Sequence, residues 1–253
     1  MHIQSIFVVL FTALAPVIIM GWYIYRKDQY KPEPLRTLLF CAFTGFLGGL
    51  LTSIITKSLL ELPDTCNITV PSITSPALLT VMKTLGVGDL MMMLILAGIV
   101  LFNRFFDEQF DGIVYSVFVT LGFILCQNII YLYANDFTLF DFSTLRALLL
   151  IPIYFFYAIL SGYYLSRVCF RRPRWNWLLF YDLALFLFLP FLLHTLLTTL
   201  LLAFNQDLHI WQGILVFLIL TYTCFLSMSF GIQRIESHLS RDYREGRVPR
   251  DNR

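Results

Sequence analysis

Long apolar segments alternate with short polar ones along the whole chain, and this pattern predicts membrane-spanning helices. About 20 residues, at about 1.5 Å of rise each, are needed to cross a hydrocarbon core about 30 Å thick. Segments of that length lie at residues 5–25, 35–60, 77–102, 111–134, 146–168, 177–204 and 211–231. We therefore predict an all-α integral membrane protein, a bundle of about seven transmembrane helices.

The fourth segment carries a polar stripe on an otherwise apolar helix. At about 100° per residue, Ser116, Thr120, Gln127 and Tyr131 fall on one side, and Asn128 adjoins Gln127. In a membrane helix such a stripe is expected to face protein and not lipid. We predict that this helix lies inside the bundle, where Ser116, Thr120, Asn128 and Tyr131 line a pocket.

The composition leads to the same class of protein. Hydrophobic residues make up 58% of the chain and charged residues only 13%, which is outside the usual range of soluble domains. The five cysteines are odd in number and widely spread, so neither a disulfide framework nor a zinc motif is indicated. Nothing in the charge pattern indicates nucleic-acid binding, and the lipid bilayer is the partner that the composition requires.

The basic residues predict the orientation of the helices in the membrane. If the N-terminus is outside, only Lys57, Lys83 and Arg146 among the 18 Lys and Arg residues lie toward the outer side. Cytoplasmic loops carry an excess of Lys and Arg, so this distribution predicts that the N-terminus is outside and the C-terminus is in the cytoplasm. We expect residues 1–231 to form the transmembrane domain and residues 232–253 a basic cytoplasmic tail. The lack of eukaryotic targeting signals favours a bacterial cytoplasmic membrane.

Four side chains stand out at similar depths in the predicted membrane. Counted from the outer ends of their segments, Asp89, Gln127, Tyr154 and His194 lie about 9 to 18 Å below the outer surface. An acid at mid-membrane costs about 2.5 to 3.5 kcal/mol, so Asp89 needs an interior partner or a proton. We expect a common polar pocket in the outer half of the bundle; the alternative is that each group is satisfied locally.

Four sequence blocks follow one another in an order that indicates a family. The blocks are YIYRKDQYKPEP at 23–34, FDGIVY with the downstream LGF and QNIIY within 110–131, LRALLLIPIYFFYAILSGYYL at 145–165, and FLPFLLHTLLTTLL at 188–201. On these blocks the chain resembles the PrsW-type intramembrane proteases over nearly its whole length. The resemblance implies the helical fold of that family, hydrolysis of peptide bonds within the membrane, and a site that would suggest zinc.

Several positions that carry the chemistry of the family are substituted in this chain. By this resemblance, a pair of glutamates in the family corresponds to Gly88 and Asp89, and a lysine to Met92. A third glutamate corresponds to Gln127, a histidine to Tyr154 and an aspartate to Thr198. Asn128 and His194 match the family, and Asp89 is a shortened acid. A catalytic zinc needs about three protein ligands and an open position. Because only Asp89 and His194 remain as good ligands, we expect no metal cofactor.

We predict a PrsW-like membrane protein whose catalysis is impaired. It would bind transmembrane or juxtamembrane segments of other membrane proteins, such as single-span proteins. Asp89 and His194 would be vestigial catalytic residues. One alternative is an active intramembrane metalloprotease with a remodelled site that uses Asp89 and His194. A further alternative is a small-solute transporter or channel, for which Asp182 and His194 on one helix are the only hint.

Overall fold

Six helices account for nearly all of the chain that the computed structural model describes, which is residues 3–28, 32–60, 76–102, 108–134, 142–170 and 177–207 with isolated positions at 106, 222, 229 and 233. They are α1 (Ile3–Lys27), α2 (Leu35–Leu60), α3 (Pro76–Phe102), α4 (Gln109–Ala134), α5 (Phe142–Phe170) and α6 (Trp177–Asp207). No strand occurs among these residues, so the all-α prediction is confirmed.

The helices match the first six predicted segments to within a few residues at each end. The seventh segment, 211–231, lies outside the described residues except for Tyr222 and Ser229, and the predicted tail lies outside them except for Gln233. Three of the described helices are long and apolar enough to cross a membrane: Leu35–Ser58, Gln109–Tyr133 and Ile153–Phe170. The chain is an integral, multi-pass membrane protein.

Helix α4 lies in the interior of the bundle, in contact with α1, α2, α3 and α5. In its apolar segment 72% of the residues are buried by the protein, against 33% for α2. Of the predicted stripe, Ser116, Thr120 and Asn128 are buried, whereas Gln127 and Tyr131 are half-buried. The prediction that the polar face of α4 is directed toward protein is therefore confirmed.

Glycines allow α2 to cross α4 at backbone contact. A Cβ on Gly45 would overlap the carbonyl of Val119, and a Cβ on Gly122 would overlap the carbonyl of Ala42. Small residues let membrane helices gain van der Waals contact that larger side chains would prevent. The crossing fixes the rotation of α4, and hence which of its side chains meet α2.

The start of α4 is fixed by a second crossing and by a capping contact. The Asp111 side chain accepts a hydrogen bond from the backbone N–H of Glu108 at 2.7 Å, which satisfies a donor at the N-terminus of the helix. The next residue, Gly112, lies against Gly162 of α5, and a Cβ there would collide with Ser166. The Asp-Gly pair therefore both caps α4 and lets α5 approach it.

Candidate functional site

A buried acid and a buried imidazole meet where α3 packs against α6. The Nδ1 atom of His194 lies 2.9 Å from Oδ1 and 3.2 Å from Oδ2 of Asp89. In the tautomer with a proton on Nδ1, the ring donates this bond and the carboxylate accepts it. Asp89 is 1% and His194 2% exposed. The interior partner that Asp89 was expected to need is therefore His194.

Two tyrosines of α5 surround the imidazole. The Tyr154 ring meets the His194 ring edge-on with centroids 4.5 Å apart, and the Tyr157 ring lies 5.9 Å away in a similar orientation. The Tyr157 hydroxyl also donates to the backbone carbonyl of Asp89 at 3.3 Å. Tyr157 was not among the predicted site residues, although it follows Tyr154 by three positions and so shares its helix face.

The wall of the site near Gly88 is filled by neighbouring side chains. A Cβ on Gly88 would lie 3.3 Å from Cζ of Phe123 and 3.6 Å from Cγ2 of Thr52. The Phe123 ring in turn lies 6.3 Å from the Tyr154 ring. Met92, the other substituted position on α3, is buried one turn away. A longer side chain at position 88 would require the Phe123 ring to move.

Gln127 is directed toward α2. Its amide Nε2 donates to the carbonyl of Gly49 at 3.0 Å and to Oγ of Ser53 at 3.1 Å. The structure thus brings together Asp89, Tyr154 and His194, while the fourth residue of the predicted pocket links α4 to α2. Depth in the membrane constrains a residue along the helix axis only, whereas its neighbours also depend on the rotation of the helix.

The remaining predicted positions are distributed along α4 and α6. Ser116 and Thr120 are buried on the cytoplasmic side of Phe123 in the predicted orientation, and Asn128 is buried on the outer side, where Tyr131 is half-buried. The backbone of Thr198 lies in α6 one turn beyond His194, and its side chain is outside the described part of the structure. The pocket-lining role of these residues stays a prediction.

A zinc centre of the family type does not fit the side chains around the pair. Among the residues that the structure describes, no group of three His, Cys, Asp or Glu side chains could hold a metal ion. Nδ1 of His194 faces Asp89, and Nε2 is buried without a hydrogen-bond partner in the described structure. In the tautomer whose Nδ1–H donates to the carboxylate, Nε2 carries the lone pair. This is the arrangement of a histidine that acts as a general base.

Asp182, an intramembrane acid of α6, forms an ion pair with Arg167 of α5 at 3.1 Å. The carboxylate is buried, and the guanidinium lies 5.6 Å above the Tyr163 ring. This pair links α5 to α6 near the end that carries the basic loops. This ion pair explains why an acid is buried at position 182, so a solute pathway is not needed to explain it.

The Asp89–His194 pair is buried inside a multi-pass helical bundle. The protein is therefore of the class that has a polar site within the membrane. A family model described as PrsW family intramembrane metalloprotease matches residues 33–226. The chain belongs to the PrsW family, as the sequence blocks predicted, and it is located in the bacterial cytoplasmic membrane.

Curated relatives are similar over most of their length. The chain is 31% identical over 190 residues to Protease PrsW of Geobacillus kaustophilus, covering 75% of this chain and 78% of that protein. It is 28% identical over 214 residues to Protease PrsW of Bacillus subtilis, covering 84% and 91%, respectively. No solved structure matches.

Proposed function

We propose that this PrsW-family protein is impaired in hydrolysis and binds a transmembrane or juxtamembrane segment of a single-span membrane protein. The proposal rests on the contact between Asp89 and His194. The two remaining side chains with ligand chemistry, Asp89 and His194, bind each other, and Tyr154 lies beside them where the family has a histidine.

Hydrolysis inside a membrane requires a water made nucleophilic and a group that stabilises the developing charge. A metal on about three ligands supplies both. Here Tyr154 provides an aromatic edge in place of an imidazole. Gln127 cannot ionise and donates its amide hydrogens to Gly49 and Ser53. The substitutions retain packing and hydrogen bonds while removing groups that would activate water.

The position of the pair supports a role in binding a helical segment. Next to Asp89 on α3, Leu90 is exposed on the bundle surface, as is Leu94 one turn further. On α6, Phe188 and Leu192 are exposed on faces that lie about 120° and about 160° around the helix from the buried His194. The two helices that carry the pair therefore also present exposed apolar surface, against which a partner helix can pack in the plane of the membrane.

A second candidate is an active protease with a metal-independent dyad, and the buried Nε2 of His194 favours it. In this mechanism Nε2 removes a proton from a water molecule, whose oxygen attacks the scissile carbonyl carbon. The Asp89 carboxylate stabilises the imidazolium that forms. The proton is then transferred to the leaving amine as the peptide C–N bond breaks.

Cleavage assays on the purified full chain distinguish the two functions, and metal analysis tests the premise, common to both, that the site holds no zinc. The binding function predicts less than stoichiometric zinc and no cleavage of candidate single-span proteins by the parent protein. Cleavage that His194→Ala abolishes would overturn it, as would stoichiometric zinc. The dyad predicts that Asp89→Asn and His194→Ala are both inactive although folded, while Ser58→Ala, at an exposed position of α2, keeps full activity.

Partner binding is tested by photo-crosslinking in native membranes. A crosslinking amino acid replaces Leu94 on α3 or, as the matched control, Tyr133 on α4, which is equally exposed on the bundle. The proposal predicts a discrete crosslinked membrane protein from position 94 and none from position 133. The same product from both positions, or from neither, would contradict a binding surface on the exposed face of α3.

A further inference from the structure

The C-terminal half of α1 carries aliphatic, aromatic and cationic side chains in an ordered sequence on one face. Residues four apart are neighbours on a helix surface. Two adjacent rows therefore run toward the predicted cytoplasmic end, Ile18, Trp22, Arg26 and Ile19, Tyr23, Lys27. Ile18, Ile19 and Trp22 are 63%, 61% and 58% exposed. The polarity of this face changes from apolar to cationic over about 12 Å of helix.

A groove lies at the polar end of these rows. It has a volume of about 640 Å³ and is lined by Trp22, Tyr23, Arg26 and Lys27. The guanidinium carbon of Arg26 lies 4.9 Å above the Trp22 ring, within the range of a cation–π contact. The Tyr23 ring packs edge-on against Phe155 of α5 at 6.3 Å, so this wall is attached to the bundle.

We propose that this groove binds the headgroup of an anionic phospholipid of the cytoplasmic leaflet. Arg26 and Lys27 face the phosphate, Trp22 and Tyr23 lie at the level of the glycerol, and the acyl chains follow Ile18 and Ile19. The order of the side chains matches that of the lipid, and the two cations complement the negative charge of that leaflet. A soluble anion would make no use of the exposed aliphatic end.

Quenching of Trp22 fluorescence by brominated lipids tests this site directly. The full chain, with Trp175, Trp177 and Trp211 replaced by phenylalanine, is reconstituted in vesicles of phosphatidylcholine and phosphatidylglycerol. Bromine is placed on the acyl chains of one lipid at a time. The proposal predicts that brominated phosphatidylglycerol quenches Trp22 more strongly than brominated phosphatidylcholine at the same mole fraction, and that 1 M NaCl reduces the difference.

Charge removal gives the second measurement. Arg26→Gln with Lys27→Gln should lower the relative affinity for phosphatidylglycerol by about fivefold per residue, the factor that corresponds to about 1 kcal/mol for each cation. The control is Arg36→Gln with Lys57→Gln, which removes the same charge from exposed positions near the two ends of α2. The control should keep the parental preference.

Three outcomes would overturn the proposal. They are equal quenching of the parent by the two lipids, a preference that 1 M NaCl leaves unchanged, and an equal loss of preference in the control pair. The last would mean that the preference comes from the general surface charge of the protein. Because the first two outcomes use only the chain that keeps Trp22 with Arg26 and Lys27 unchanged, the test holds even if the Arg26 and Lys27 variant does not fold.

Discussion

Removing either member of the Asp89–His194 pair should destabilise the bundle by several kcal/mol. In Asp89→Ala, the His194 ring keeps its buried position but loses an acceptor at 2.9 Å. In His194→Ala, an acid that is 1% exposed is left without its imidazole. Breaking a buried ion pair from one side costs about 3 to 5 kcal/mol. If the pair is neutral, the cost is that of an unsatisfied buried group, about 1 to 3 kcal/mol.

The double variant measures the interaction free energy between Asp89 and His194 separately from the contacts that each side chain makes with other residues. Residues in direct contact usually show an interaction free energy of about 0.5 to 3 kcal/mol in a double-mutant cycle. Asp89→Ala combined with His194→Ala should therefore cost less than the sum of the single changes. Filling the space with Asp89→Leu and His194→Phe should bring stability back toward that of the parent, since apolar groups of similar volume often replace a buried pair without loss.

The free energy of unfolding is measured by titrating the purified protein in micelles with a denaturing detergent and following helicity by circular dichroism. Leu90→Ala is the control, because Leu90 is adjacent to Asp89 but exposed. An Asp89→Ala variant as stable as Leu90→Ala, or single costs that are fully additive in the double variant, would refute the contact. The filled variant also separates functions, because it abolishes dyad hydrolysis while a binding surface built on Leu90 and Leu94 is retained.

Three further variants test the packing of α4 and the chemistry beside His194. Gly122→Ala should lower the unfolding free energy by about 1 to 3 kcal/mol, because its Cβ meets the α2 backbone, whereas Gly98→Ala, with no atom within 4 Å, should change it little; equal effects would contradict the crossing. Gln127→Glu should cost about 1 to 3 kcal/mol in the same assay, since a carboxylate would face a carbonyl, and parental stability would contradict this. Tyr154→His with Thr198→Asp should raise the amount of zinc bound in metal analysis, and Gln127→Glu should not. Zinc bound by the Gln127→Glu variant alone would mean that the metal site lies nearer α2.

The number and limits of the described helices could be predicted from the sequence because the membrane imposes a length. A segment must be apolar for about 20 residues, and its ends are marked by charge. The buried polar face of α4 could be predicted because the membrane also restricts where polar groups lie. A polar group in lipid is costly, so Ser116, Thr120 and Asn128 had to face protein, as they do.

The neighbours of individual polar groups could not be predicted in the same way. Asp89 and His194 are 105 residues apart in the chain, and only the packing of α3 against α6 brings them together. Gln127 lies at a similar depth but contacts Gly49 and Ser53. Its direction follows from the glycine crossing of α2 and α4, a backbone contact whose geometry is not encoded in the hydrophobic pattern.

The residues that identify the family in this chain have structural roles that do not depend on catalysis. Asp111 caps α4, Gly112 admits α5 at Gly162, and Gly122 admits α2. A substitution at any of them would disturb helix packing, whether or not the protein cleaves a substrate. By contrast, Tyr154 fills space beside His194, at a position where the resemblance to the family predicts a histidine. Membership of the family and retention of its activity thus rest on different residues, so the activity of this chain has to be decided at Nε2 of His194.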